Sequence, residues 1–133
     1  MSRRKISYEG IYSPADFVTA EADTNLKALK NVSGITYVEG MAVVVSGDYK
    51  VGLGNSGEPI RGRIDKYEDD DNVTVQVGGH APFTGVSGSL PSAGDSAVVN
   101  GEGKVVAAAS KYIGGAKVVA IEPSALKVVV YLG

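Results

Sequence analysis

The amino-acid sequence predicts an all-β fold: a small antiparallel β-barrel, or a β-tulip or sandwich body, with an extended N-terminal arm. Seventeen of the 18 glycines lie at or after Gly34, and the same part of the chain holds 18 valines. Short Val/Ile runs are separated there by Gly-Asp, Asn-Gly and Gly-Gly turn signals about every ten residues, a pattern typical of antiparallel hairpins. The sequence therefore divides into an arm, residues 1–33, and a β-rich body, residues 34–133.

The arm is predicted to be extended or partly helical. A helix start is indicated at residues 13–16, because Ser is a favoured N-cap, Pro suits the first helical position and an acid after the cap favours the helix dipole. A short helix with few long apolar residues is not stable alone. The arm is therefore either an extended segment held loosely to its own body or a segment ordered by a partner. Its weak apolar stripe would consist of Val18, Ala22, Leu26 and Leu29.

The body is predicted to consist of hairpins in series. Within residues 60–67, Ile60 and Ile64 share one face while Arg61 and Arg63 share the other, so one face is buried and both arginines point outward. The final apolar strand is expected to pair within a sheet, since an exposed apolar edge aggregates. Residues 84–94 are interpreted as a loop with at most one short strand. The predicted strand pairs join residues 41–46 to 49–53, 60–67 to 73–77, 97–99 to 104–108, and 116–121 to 126–132.

Composition narrows the class of function. The length of 133 residues predicts one domain, and the absence of cysteine excludes disulfides and thiolate metal sites. The body carries eight basic and eleven acidic side chains, and this balance of −3 repels a nucleic-acid backbone. No apolar stretch approaches the ~18 residues that span a bilayer, and the N-terminus lacks the apolar core of a signal peptide. We therefore expect a soluble, non-secreted protein that binds neither nucleic acid nor membrane.

Three sequence features resemble metal-binding or phosphate-binding sites, and each has a simpler interpretation. His80 is the only histidine and has no cysteine to complete a zinc site. The acidic run at residues 68–72 lacks the ligand spacing of an EF-hand loop and is expected to be a solvated hairpin tip. Residues 52–57 match G-x-G-x-x-G, but a strand follows them instead of the helix that a phosphate site needs. We therefore expect no enzyme activity, no cofactor and no metal site.

A series of short motifs runs through the body. They are Val38-Glu39-Gly40-Met41-Ala42-Val43, Asp48-Tyr49-Lys50-Val51, Pro59-Ile60-Arg61-Gly62-Arg63-Ile64, Val73-Thr74-Val75-Gln76-Val77, Ala93-Gly94-Asp95, Ile113-Gly114-Gly115-Ala116 and Val128-Val129-Val130-Tyr131-Leu132. Their order resembles that of the decoration, or cement, proteins of tailed-phage capsids, and the resemblance covers roughly residues 38–133. It implies a small β-tulip or barrel-like body on the outer capsid surface, often as a trimer, with an N-terminal arm that binds the shell.

The resemblance implies a structural virion protein that stabilises the mature capsid. Its partner would be the major capsid protein of a tailed phage, and a homotrimer made in the host cytoplasm would bind the outer capsid surface. Strand addition by the arm would supply backbone hydrogen bonds, while apolar arm residues fill pockets. Two other functions stay open: a phage tail or baseplate protein, and an OB-like nucleic-acid-binding domain built on a five-stranded barrel. The arm residues expected to bind the capsid are Ile6, Tyr8, Ile11, Tyr12 and Phe17.

Overall fold

The computed structural model of this chain describes residues 16–68, 70–109 and 116–132. These residues are built mainly of β-strands, which confirms the all-β prediction. The elements in chain order are β1 (Phe17–Ala22), α1 (Thr24–Ser33), α2 (Ile35–Val38), β2 (Ala42–Gly47), β3 (Lys50–Gly52), β4 (Gly62–Tyr67), β5 (Asn72–Gln76), β6 (His80–Thr84), β7 (Ala97–Val99), β8 (Val105–Ala107), β9 (Lys117–Glu122), a 3-10 helix (Pro123–Ala125) and β10 (Lys127–Tyr131).

Five strands form a closed barrel in the order β1-β3-β2-β4-β5. β1 closes it, pairing antiparallel with five residues of β5 and parallel with two residues of β3. Small branched side chains fit the narrow interior, where Val43, Ile64 and Val75 are fully buried. Leu26 of α1 and Val38 of α2 are fully buried in the same core, so the two helices cover one end of the barrel.

A second layer packs against the outer face of β2. It consists of the three-stranded sheet β6-β10-β9 and the hairpin β7-β8. Val43 points into the barrel, while its neighbours Ala42 and Val44 belong to a separate core that includes Val128 of β10. The loop before β8 is tied to β2, because the Ala42 N–H donates to the Gly103 carbonyl at 2.9 Å. β2 is thus a wall shared by two hydrophobic cores.

The predicted hairpins are confirmed with small changes at their ends. β2 pairs with β3, β4 with β5, β7 with β8 and β9 with β10, all antiparallel. β10 lies between β6 and β9, as expected for an apolar strand that avoids an exposed edge. The sequence pattern does not predict β6, because Pro82 at its centre interrupts the alternation of a strand. A proline is tolerated there since β6 is an edge strand, whose outer side needs no N–H donor.

The position of β1 and α1 corrects the predicted boundary between arm and body at residue 33. Phe17–Ala22 is a barrel strand, and α1 covers the barrel end, so the body begins no later than Phe17. The physical reason is barrel closure: β1 satisfies the edges of β5 and β3, which would otherwise expose unpaired backbone groups.

The predicted helix start is also corrected. Residues 13–15 lie outside the described residues, and Asp16 precedes a strand instead of a helix. The helix begins after Asp23, whose Oδ1 accepts a hydrogen bond from the Leu26 N–H at 2.9 Å. The proposed apolar stripe is therefore divided between two elements, with Val18 and Ala22 on β1 and Leu26 and Leu29 on α1.

Candidate functional site

Phe17 is the predicted arm residue that lies within the described part of the chain. It is the first residue of β1, lies opposite Gln76 of β5, and its side chain is 49% exposed. Immediately before it, the Asp16 carbonyl accepts a hydrogen bond from the Val77 N–H at 2.8 Å. The arm therefore joins the body at a strand that is already held in the barrel. The other four predicted residues, Ile6, Tyr8, Ile11 and Tyr12, lie outside the described residues.

Exposed apolar side chains lie where the arm joins the barrel: Phe17 and Val18, at the start of β1, are 49% and 46% exposed. Val45 on β2 and Tyr49 in the β2–β3 turn are also exposed, by 60% and 86%. The β2–β3 turn lies beside the other end of β1, because the Glu21 N–H donates to the Tyr49 carbonyl at 2.6 Å. We call the exposed residues at the start of β1 the β1 patch: Phe17 and Val18.

A cleft of about 460 Å³ separates the barrel from the second layer. One wall is formed by α2, the following turn and β4, and the other by β6, the β7–β8 turn and the segment that enters β10. Apolar side chains line part of it, among them Met41, Phe83 and Leu126. The charged side chains that line it are Arg63, Lys104, Lys127, Glu39 and Glu102.

Arg63 is a partly buried cation in the cleft. It lies on the outer face of β4, as the alternation predicts, but only 26% of its side chain is exposed, whereas Arg61 is exposed. Its Nη1 is 4.0 Å from Asp65 Oδ1, which is too far for a hydrogen bond. Its Nε is buried and has no hydrogen-bond partner among the described residues. A buried donor in this state costs free energy.

The edge of β6 presents backbone groups to the same cleft. The Gly85 N–H donates to Leu126 O at 2.7 Å, and the Leu132 N–H donates to Gly79 O at 2.9 Å. Because antiparallel ladders alternate, this register directs the Pro82 carbonyl and the Thr84 N–H away from β10. Neither group has a hydrogen-bond partner among the described residues.

Both ends of this free edge are blocked. At one end, Gln76 Nε2 donates to the carbonyls of Gly78 and His80, each at 2.9 Å, which ties β6 to the outside of the barrel. At the other end, a parallel bridge joins Gly85 to Val105 at the start of β8. The cleft thus contains a short, rigid strand edge bounded on both sides.

The acidic turn between β4 and β5 is partly tied to the body. Tyr67 Oη donates to Asp71 Oδ1 at 2.6 Å, and Lys30 Nζ of α1 lies 3.5 Å from the same oxygen. Burial, and then the hydrogen bond to Asp71, raise the pKa of Tyr67 far above its usual range. The hydrogen bond from Tyr67, helped by Lys30, lowers the pKa of Asp71. These contacts hold the turn and α1 together and have no ligand-binding geometry of their own.

The remaining sequence motifs occupy structural positions. No helix follows the G-x-G-x-x-G segment, and Pro59 instead bridges to Val98 of β7. His80 lies at the start of β6 with its ring centroid 5.1 Å from that of Tyr131. Across the three described stretches, no group of three or more His, Asp or Glu side chains is arranged to hold a metal ion.

Comparisons with known proteins identify no relative: no protein-family model matches this chain, and no curated protein sequence matches it significantly. Within residues 16–68, 70–109 and 116–132, no helix has the length and apolar character needed to cross a membrane.

No pattern in the sequence indicates the cleft. Its charged residues come from four separated parts of the chain, and Lys104 and Lys127 each look like ordinary surface lysines in the sequence. Arg63 carries a faint signal, since it follows Gly62 on a strand with a buried opposite face. Gly62 has no space for a side chain, because a Cβ there would overlap the Gln76 carbonyl and the Val75 side chain. That close approach brings β4 and β5 together.

Proposed function

We propose that this protein is a structural virion protein that binds the outer surface of a mature tailed-phage capsid and stabilises it. In this proposal it acts as a trimer, its partner is the major capsid protein, and its N-terminal arm contacts the shell. The observation that supports the proposal best is the β1 patch, Phe17 and Val18, at the point where the arm joins the barrel. Neighbouring apolar residues that stay exposed on a small protein are typical of an interaction surface.

The arm and the patch would act together as one binding surface. The arm supplies backbone groups and apolar side chains, and Phe17 and Val18 continue that surface onto the rigid barrel. Ordering the arm costs conformational entropy, which the pre-formed patch and simultaneous contacts by three subunits would offset. A protein that binds only the expanded lattice stabilises it against the unexpanded form by mass action.

Co-sedimentation with expanded and unexpanded heads of the encoding phage tests this proposal. The forms compared are the full chain, a deletion of residues 1–15, Phe17→Ser, and the matched control Val119→Ser, which changes a similarly exposed residue (45%) on β9. We expect the full chain and the control to sediment with expanded heads only, and the deletion and Phe17→Ser to bind much less. Equal binding by the deletion would refute the arm model, and no binding by any form would refute the capsid proposal.

Two alternative proposals differ in their expected assembly. A tail or baseplate protein would form rings or tubes, which light scattering of the free protein distinguishes from a trimer. An OB-like nucleic-acid binder would share the five-stranded closed barrel. It would need stacked aromatic platforms beside basic side chains. Tyr67 and Phe83 are instead buried, whereas Tyr49 is exposed in the β2–β3 turn and Tyr37 is exposed on α2, where it lines the cleft. The barrel and Tyr37 favour this alternative, but the net charge of −3 on residues 34–133 disfavours it, so we rank it behind the capsid proposal.

A further inference from the structure

We propose that the cleft between the barrel and the second layer binds an extended acidic segment of a partner protein, which adds as a strand to the free edge of β6. This inference concerns a different surface from the β1 patch and does not depend on the capsid proposal. It rests on three features that meet in one place: unpaired backbone groups, an under-satisfied guanidinium, and an excess of cationic side chains.

The backbone groups specify the direction of the added strand. The Pro82 carbonyl and the Thr84 N–H flank Phe83 on the side of β6 away from β10. An antiparallel partner would need both groups of a single residue. Pro82 has no N–H, and the His80 carbonyl is already taken by Gln76. The parallel bridge between Gly85 and Val105 occupies the Thr84 carbonyl. In a parallel pair, a residue of the added strand lies opposite one residue of the existing strand. Its N–H donates to the carbonyl that precedes that opposite residue, and its carbonyl accepts from the N–H that follows it. One peptide residue opposite Phe83 therefore satisfies both free groups.

The side chains specify an acidic segment. Arg63 Nε is buried without a partner, and the guanidinium is held beside Gly40, where an added Cβ would lie 3.4 Å from Nη2. The Nε atom itself is closed to the cleft, so a carboxylate there would accept charge-assisted hydrogen bonds from the exposed part of the guanidinium. Lys104 and Lys127 add positive charge to the cleft. Of the two acids, Glu39 already accepts from the Tyr67 N–H through Oε2 at 3.0 Å.

The same charges disfavour the protein's own arm as the occupant. Residues 1–15 carry three basic side chains, Arg3, Arg4 and Lys5, against one acid, Glu9. The cleft has three cations and two acids, so the two surfaces repel at long range. An extended segment that alternates acidic and small apolar residues fits better, because successive side chains of a strand point to opposite sides. Its acids would face Arg63 and the lysines.

Fluorescence anisotropy with a labelled probe tests the proposal on the full chain. The probe is a short capped peptide of alternating glutamate and valine. Two control peptides replace glutamate by lysine, or methylate the central backbone nitrogen so that it cannot donate to Pro82. We expect saturable binding of the acidic probe, and at least about tenfold weaker binding of either control. Chemical-shift changes in the amide spectrum should centre on Thr84 and its neighbours in β6.

Four variants separate the two parts of the site. Arg63→Gln removes the guanidinium, and Thr84→Pro removes the N–H donor. The controls are Thr84→Val, which keeps that donor, and Lys66→Gln, which changes an exposed lysine that does not line the cleft. Proline at position 84 leaves the ladder intact, because that N–H points away from β10. We expect the first two variants to weaken probe binding about tenfold and the controls to leave it unchanged. Thermal midpoints confirm that each variant is folded.

Three results would overturn the proposal. Equal binding of the lysine peptide would refute the acidic specificity. Binding that inorganic phosphate abolishes and that Thr84→Pro does not change would show a simple anion site without strand addition. If the acidic probe does not bind the folded parent protein even at millimolar concentration, the cleft does not bind such a segment.

Discussion

Val43 and Val44 are adjacent in the chain, and each is buried in a different hydrophobic core. Val43 faces the barrel interior with Ile64 and Val75, while Val44 packs with the second layer. Strand alternation produces this division, because successive side chains point to opposite faces. β2 therefore couples the barrel to the second layer, and disturbing either face disturbs both layers.

Truncating either valine is expected to destabilise the whole body. Val43→Ala or Val44→Ala should each cost about 2 kcal/mol or more of unfolding free energy, since each removes buried methyl groups and leaves a cavity. The matched control is Val45→Ala, the next residue on the same strand, which is 60% exposed and should change stability by less than about 0.5 kcal/mol. Urea unfolding measures these differences. Two separate transitions in either variant would contradict the coupling through β2.

Gly52 and Asp23 form a pair whose coupling is measurable. A Cβ at Gly52 would overlap the Asp23 carboxylate, which caps α1. Asp23→Ala should cost about 1 kcal/mol through loss of the cap, and Gly52→Ala should cost at least as much by displacing the same carboxylate. The double variant should cost clearly less than the sum of the two, because the overlap disappears with the carboxylate. Thermal unfolding of all four proteins provides the cycle, and strict additivity would refute the contact.

The Tyr67–Asp71 hydrogen bond predicts a pH-dependent effect. The pKa of Asp71 is lowered in the fold, chiefly by the Tyr67 hydroxyl, so the bond stabilises the fold above the pKa that this carboxyl has when unfolded. That contribution is lost as the pH falls through the lower pKa of the folded state. Tyr67→Phe should therefore lower the thermal midpoint at neutral pH, with a difference from the parent that shrinks in acid. A difference that stays constant down to the acid limit would contradict the assignment.

The raised pKa of Tyr67 gives stability the opposite pH dependence. The fold favours the neutral phenol, so its contribution is present below the unfolded pKa and is lost as the pH rises above ~10. Tyr67→Phe, which cannot ionise, should lose less stability between neutral and strongly alkaline pH than the parent does.

Arg61 and Arg63 should both tolerate replacement, for different reasons. Arg61 is exposed, so Arg61→Ala should change unfolding free energy by less than about 0.5 kcal/mol. Arg63→Met should leave stability unchanged or raise it, because the apolar stem packs similarly and the unpartnered buried Nε is removed. Guanidinium chloride or urea titration measures both. A loss of several kcal/mol for Arg63→Met would indicate a buried pairing that the described contacts do not contain.

The position of β1 sets how much of the N-terminus can be removed. Deleting residues 1–15 should leave a cooperatively folding body, because β1 and its bonds to β5 and β3 are retained. Deleting residues 1–22 removes β1, opens the barrel and exposes the edge of β5, so we expect loss of cooperative unfolding or aggregation. Circular dichroism melts and gel filtration of both deletions measure the outcome. A folded, monodisperse shorter form would contradict the closed barrel.

The sequence alone determines the elements whose partners are close in the chain. The β4–β5 hairpin can be predicted from the sequence, because Ile64 and Val75 lie on strands that alternate in polarity on either side of one acidic turn. Turn residues and period-two alternation also predict the other three hairpins, since both signals act over a few residues.

Tertiary structure decides what depends on distant contacts. Val18, Ala20 and Ala22 fit a strand, whereas Val18, Ala22 and Leu26 fit a helix, and only pairing with β5, about fifty residues further along the chain, selects the strand. β6 tolerates Pro82 because it is an edge, a property of the assembled sheet. The cleft exists only where that edge meets Arg63 across the two layers. Local sequence encodes backbone preference, but long-range packing determines which edges remain free to bind a partner.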